Sequence, residues 1–159
     1  ALTAKRADLL PFARRHQLAV IATQSSLGMP QAAVVRFVLS DAFEVLFTTH
    51  REHRKVANLR ANSKASAVIG WDEAQTLQLE GWGDLLTGSD LEAARTILIA
   101  QAPDHYEARH RIEGLHYVRI TPTWIRYSDF RLNPASILTL DLISGTESRS
   151  ARLYRAESA

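Results

Sequence analysis

Apolar and polar residues change period several times along this chain, and each change marks an element. Leu2, Leu9, Leu10 and Phe12 form an apolar stripe opposite Lys5, Arg6, Arg14 and Arg15. That spacing predicts a helix over 3–16, kinked or divided by Pro11. Residues 18–23 are an aliphatic run followed by the turn residues Ser25, Ser26, Gly28 and Pro30, which reads as a strand entering a hairpin, and 32–39 is the returning strand. Phe43, Val45 and Phe47 recur at period two and predict a third strand ending in Thr48-Thr49. Between His50 and Ser63, Val56 and Leu59 lie three apart among basic and amide residues, the pattern of a short exposed helix ending near Asn62.

Two further strands follow, over 65–71 and 76–85. In the second, Leu77, Leu79 and Leu85 alternate with Thr76, Gln78, Glu80 and Asp84, while Gly81 and Gly83 hold the apolar phase and predict a bend or a close backbone approach. Ser89-Asp-Leu-Glu92 has the form of a capping box opening a helix to about Ala102, which Pro103 stops. A charged surface segment over 104–114 precedes strands at 116–121 and 124–127, and a last strand is expected at 137–142. The Ser- and Arg-rich stretch 145–159 has little periodicity and is expected to be a mobile tail. Many short strands without βαβ alternation predict one mainly β domain over 1–144, an antiparallel barrel or sandwich with peripheral helices.

Composition narrows the function. With 159 residues, 46% of them hydrophobic, the chain can bury a core without cross-links, and the absence of cysteine excludes thiolate nucleophiles and Cys-based metal centres. Nineteen basic against 17 acidic residues leave a net charge of +2, too small a footprint for nucleic acid. No apolar run has the length of a membrane span, so a protein without nucleic-acid or membrane partners is expected, with a cytoplasmic location as the default. GxSxG, GxGxxG and GxxxxGK[ST] are all missing.

The richest chemistry lies in Phe47-Thr-Thr-His-Arg-Glu-His-Arg-Lys55, where hydroxyls at a strand end run into two cations at a helix start. Arg54 can grip a phosphate through its planar fork and Lys55 adds a point charge, although the same residues also read as a solvated basic turn. Arg36, in an apolar strand, must face a carboxylate, a bound anion or solvent. His50 and His53 have no third metal ligand nearby, and His105, His110 and His116 lack metal-site spacing, so no metal site is assigned. Trp71, Trp82 and Trp124 suit a core or an interface; Trp124, beside Thr123, Arg126 and Tyr127, could also flank a planar ligand.

The succession of residues 46–62, then Ala67-Val-Ile-Gly-Trp71, then Gln75-Thr-Leu-Gln-Leu-Glu-Gly81, resembles the pyridoxamine 5′-phosphate oxidase-like FMN-binding split-barrel family, with Asn62-Ser63 in place of an Asn-Pro pair. The resemblance covers about residues 9–131. It implies an antiparallel Greek-key split barrel and an FMN at a homodimer interface, with Arg54 and Lys55 on the phosphate and Thr48 and Thr49 near the pyrimidine edge or ribityl chain. Gln78 or Thr76 would approach from the strand that closes on Gly81, and Trp124, with Arg126 close behind it, would come from the partner subunit. Arg36 is the candidate for the family's strand arginine, although Ala33 stands where that arginine is most often found. Arg126-Tyr-Ser-Asp-Phe130 keeps one arginine and the aspartate of the oxidases' R-L-H-D-R segment but loses the histidine and second arginine, and Gln101-Ala-Pro replaces a phosphate-binding arginine. The resemblance therefore implies a flavin-dependent oxidoreductase acting on a small molecule other than pyridoxamine phosphate, with no catalytic side chain assigned. A flavin-binding or sensing module without turnover, a relative using deazaflavin or haem, and a barrel binding another anion or a protein are the alternatives.

Overall fold

Residues 2–153 are described by a computed structural model. Strand alternation decides what faces inward: in β1 (Leu18–Gln24) Ala19, Ile21 and Thr23 are buried, in β5 (Lys64–Ile69) Ala65, Ala67 and Ile69, and in β6 (Gln75–Leu85) Leu77 and Leu79. These strands join β2 (Pro30–Arg36), β3 (Val38–Leu39), β4 (Val45–His50) and β7 (Leu115–Asp129) in one antiparallel sheet of order β2-β1-β5-β6-β7-β4-β3. β8 (Ala135–Asp141) pairs with β7, and β9 (Thr146–Arg152) with β8.

The run expected as one strand over 32–39 is divided at Phe37. Its first part pairs with β1 and its second with β4, so one stretch of chain forms both ends of the sheet path and the sheet closes on itself. Phe43, Phe47, Ile69 and Ile125 fill the interior, all fully buried. Phe43 holds the left-handed backbone conformation, φ 68°, which costs about 1–2 kcal/mol in a residue with a Cβ. Burying its ring contributes about 1.5–3 kcal/mol and offsets that strain. A second apolar cluster outside the barrel joins Leu46, Tyr106 and Tyr117 to Ala94 and Leu98 of α3 (Gly88–Gln101), which leaves β4 covered on both faces.

Four helices surround the sheet. In α1 (Leu2–Arg14), Pro11 does not divide the helix; it lies on the exposed side, where the carbonyl it leaves unpaired is open to water. α2 (Arg54–Ala61) seats Val56 and Leu59 in the core, and its buried Asn58 donates to Thr23 Oγ1 and to Gln31 Oε1, both at 2.9 Å. The Ser89–Glu92 capping box does not form. Gly88, at φ 58°, turns the chain into α3 early, Thr87 becomes the N-cap without a side-chain cap bond, and Glu92 pairs with Arg95 at 3.1 Å. α4 (Pro103–Tyr106) and a 3-10 turn (Arg109–Arg111) form within the charged segment. No helix among the described residues is long and apolar enough to cross a membrane.

The strands expected at 116–121 and 124–127 are the single strand β7. Gly81 faces Pro122 and Glu80 faces Trp124, so Thr123 is the extra residue of a bulge, its hydroxyl donating to Glu80 O at 3.2 Å. The stretch expected as a tail from 145 is a strand as far as Arg152; its side chains are exposed and bring no apolar period. Positions 154–159 of that expectation lie outside the described residues.

Gly81 makes the close approach its phase predicted, since a Cβ there would lie 2.1 Å from the backbone oxygen of Thr121. Gly81→Ala must displace backbone rather than a flexible side chain. We predict a loss of at least about 2 kcal/mol of stability, read as a lower midpoint in urea unfolding.

Candidate cofactor site

Successive residues of a strand point to opposite faces, so Thr48 and Thr49 of β4 serve different spaces. Thr49, 3% exposed, meets the start of α2: its Oγ1 accepts from Lys55 Nζ at 3.4 Å and lies 3.0 Å from His53 Nδ1. Thr48 meets the segment after α3, where Arg109 Nε donates to its Oγ1 at 3.2 Å.

A cleft of about 310 Å³ opens between the start of α2 and β2, lined by Thr23, Ala32, Ala33, His53, Arg54 and Lys55 among others. Neither Arg54 nor Lys55 has an ion pair among the described residues. Glu52 also borders the cleft, but its carboxylate lies 3.7 Å from His50 Nδ1. Burial pushes the Lys55 pKa below the ordinary lysine value. A half-buried ammonium beside an exposed guanidinium, with no carboxylate paired to either, is an arrangement suited to an anion.

Arg36 does not line this cleft. Its Nη2 donates to both carboxylate oxygens of Asp104 in α4, at 3.3 and 3.2 Å, so the carboxylate alternative is the one the structure shows. Tyr106 fastens the same segment by donating to Arg36 O at 2.8 Å; it is buried, and burial pushes its phenol pKa up to about 12. His105 is held below its ordinary pKa by burial, then by Arg109 and Arg36.

Thr76, Gln78, Trp124 and Arg126 lie on the outer face of β6 and β7. Gln78 is directly opposite Arg126, whose guanidinium carbon lies 4.9 Å from the Trp124 ring centroid and whose Nε donates to Thr139 Oγ1 at 3.3 Å. The cross-strand register runs from Ala32 through Ala22, Ser66 and Glu80 to Trp124. These four strand spacings separate the cleft from Trp124 by about 19 Å along the sheet.

The nine expected site residues thus fall into three places. Arg54 and Lys55 line the cleft, with Thr49 bonded to Lys55; Thr76, Gln78, Trp124 and Arg126 share the outer face; Thr48 and Arg36 are engaged by the segment after α3. Sequence reasoning assigned no role to His53, Asp104 or Arg109. The first sits within the basic turn and was legible as a polar neighbour, whereas the other two reach their partners across 68 and 61 positions of chain, which no local pattern reports.

The sequence matches the profile of the family described as pyridoxamine 5′-phosphate oxidase over residues 6–129. No curated protein matches it. Among solved structures, a pyridoxamine 5′-phosphate oxidase-related, FMN binding protein from Nostoc punctiforme is similar at 16% identity and TM-score 0.66, with 95% of this chain and 93% of that one covered. PhzG from Burkholderia lata, in complex with tetrahydrophenazine-1-carboxylic acid, is similar at 18% identity and TM-score 0.65, covering 96% and 90%. A heme binding protein from Mycobacterium smegmatis is similar at 16% identity and TM-score 0.62, covering 94% of this chain and 57% of that one. At these identities the structures speak for the fold, and the profile, spanning most of the chain, for the family: this chain belongs to the pyridoxamine 5′-phosphate oxidase-like split-barrel family.

Proposed function

We propose that the protein binds FMN at the interface of a homodimer and acts as a flavin-dependent oxidoreductase on a small molecule. The observation that carries this reading is the cleft at the start of α2, where Lys55 is half-buried without a carboxylate partner and Arg54 stands beside it. That donor set fits a phosphate monoester: two cations and the first N–H groups of an eight-residue helix. Bound there, FMN supplies the hydride chemistry, and the protein's part is to hold and orient it.

Two observations support the dimer in this reading. Val34, Val20 and Val68 lie in register across β2, β1 and β5, and Val34 is 59% exposed and Leu18 47%. Such a row on a sheet face suits burial against a second copy. The second copy has a further task in this reading: neither Trp124 nor Arg126 lines the cleft of its own chain, and the partner subunit's Trp124 and Arg126 would close over the flavin. Pyridoxamine phosphate is not the proposed substrate. Asp129, the aspartate of the altered family segment, is held by Arg131 through Nε at 2.9 Å and Nη2 at 2.7 Å, and Arg131 keeps its carboxyl below the ordinary range.

Arg54→Ala and Lys55→Ala should each raise the FMN dissociation constant by about 10- to 100-fold, the worth of one charge-assisted hydrogen bond, in a flavin fluorescence titration. Unchanged affinity in the double variant would place the phosphate elsewhere. FMN affinity should also fall as pH rises through the Lys55 pKa, because deprotonation removes a charge from the phosphate site. That fall should begin below about 10.4, the ordinary lysine value, and should vanish in Lys55→Arg. Val34→Glu should convert a dimer into a monomer in size-exclusion chromatography and weaken FMN binding with it. Turnover with a reduced nicotinamide or dioxygen separates the oxidoreductase from a flavin-binding module without activity.

A further inference from the structure

Thr49 has one hydroxyl proton and two polar neighbours. A lysine ammonium only donates, so Lys55 Nζ, at 3.4 Å, occupies a lone pair of Thr49 Oγ1. The second lone pair and the proton both remain, so His53 Nδ1, at 3.0 Å, meets the hydroxyl as acceptor or as donor according to its tautomer. To accept the proton, Nδ1 must be bare, with the ring proton on Nε2. Nothing else claims that nitrogen: His53 is the N-cap of α2 but makes no side-chain cap bond, Glu52 lies against His50, and the His50 ring is 6.1 Å away, centroid to centroid.

Lys55, Thr49 and His53 thus stand in one hydrogen-bonded row, and two of the three line the cleft. A lysine side chain is long and loses much rotamer freedom when it is fixed. A hydroxyl whose own proton is committed elsewhere presents its lone pair steadily to the ammonium. We propose that His53 is a positioning residue for a phosphate monoester: by accepting from Thr49 it holds the hydroxyl that steadies Lys55 at the cleft. This rests on the reading of the cleft as the FMN phosphate site.

The test compares FMN with riboflavin, which lacks the phosphate, in the wild type, His53→Ala and His53→Asn; the asparagine side chain can place an acceptor oxygen near the position of Nδ1. His53→Ala should weaken FMN binding by about tenfold and leave riboflavin binding unchanged, His53→Asn should restore FMN affinity, and Thr49→Val should add nothing to His53→Ala. FMN affinity unchanged in His53→Ala, an equal loss for both flavins, or failure of His53→Asn to restore binding would each overturn the proposal. Nitrogen-15 NMR of the ligand-free protein reads the tautomer independently: a proton on Nε2 is expected, and one on Nδ1 overturns the proposal. If the wild type binds no FMN, the cofactor reading fails by itself, and inorganic phosphate replaces FMN in the comparison. Phosphate bound less tightly by His53→Ala than by the wild type would then support the role of His53, and equal or absent binding would overturn it.

Discussion

A single run of chain from Pro30 to Leu39 belongs to both ends of the sheet, and that closure governs the rest of the molecule. It turns a strand path into a barrel whose interior Phe43, Phe47 and Ile125 fill. It also brings the chain after β4 back beside β2, so that the start of α2 overhangs Ala32 and Ala33 and the cleft exists at all. Asn58 fastens this arrangement from inside by spanning Thr23 of β1 and Gln31 of β2. A buried amide satisfied on both sides costs little. One left unsatisfied costs about 1–3 kcal/mol, so the brace specifies where α2 sits.

The same geometry spends desolvation where binding can recover it. Burial disfavours the charged form of Lys55, and no carboxylate compensates it among the described residues. Arg36 differs, since Asp104 neutralises it and Tyr106 pins its backbone. Two cations expected to act together are thus unlike: one is half-buried without a carboxylate partner among the described residues, and the other is part of the joint between β2 and the segment after α3. The outer face is a third environment, apolar around Val34 and polar around Gln78 and Arg126, with the stacked Trp124–Arg126 pair at its far side.

Much of this was legible in the sequence where a local period carried it. The alternation of β6, the two glycines in its apolar phase, and the limits of α2 all appear in the structure. The succession of motifs from residue 46 to 81 also pointed to the family that the profile finds. What escaped was what no period reports. Phe37 looks like any apolar residue in a strand, yet the sheet changes edge there. Pro122 and Thr123 interrupt the pattern of β7, although the backbone continues through a bulge. β9 pairs with β8 along its length, but its exposed side chains carry no apolar period and so read as a tail. At the site, alternation separates Thr48 from Thr49, while the partner of Arg36 lies 68 residues away.

Whether the start of α2 is a phosphate site for FMN is read most directly from a crystal structure of the protein grown with FMN. The phosphate is expected against Arg54 and Lys55, with Trp124 of a second subunit beside the flavin. A phosphate bound away from α2, or a flavin held by one subunit alone, would contradict this reading.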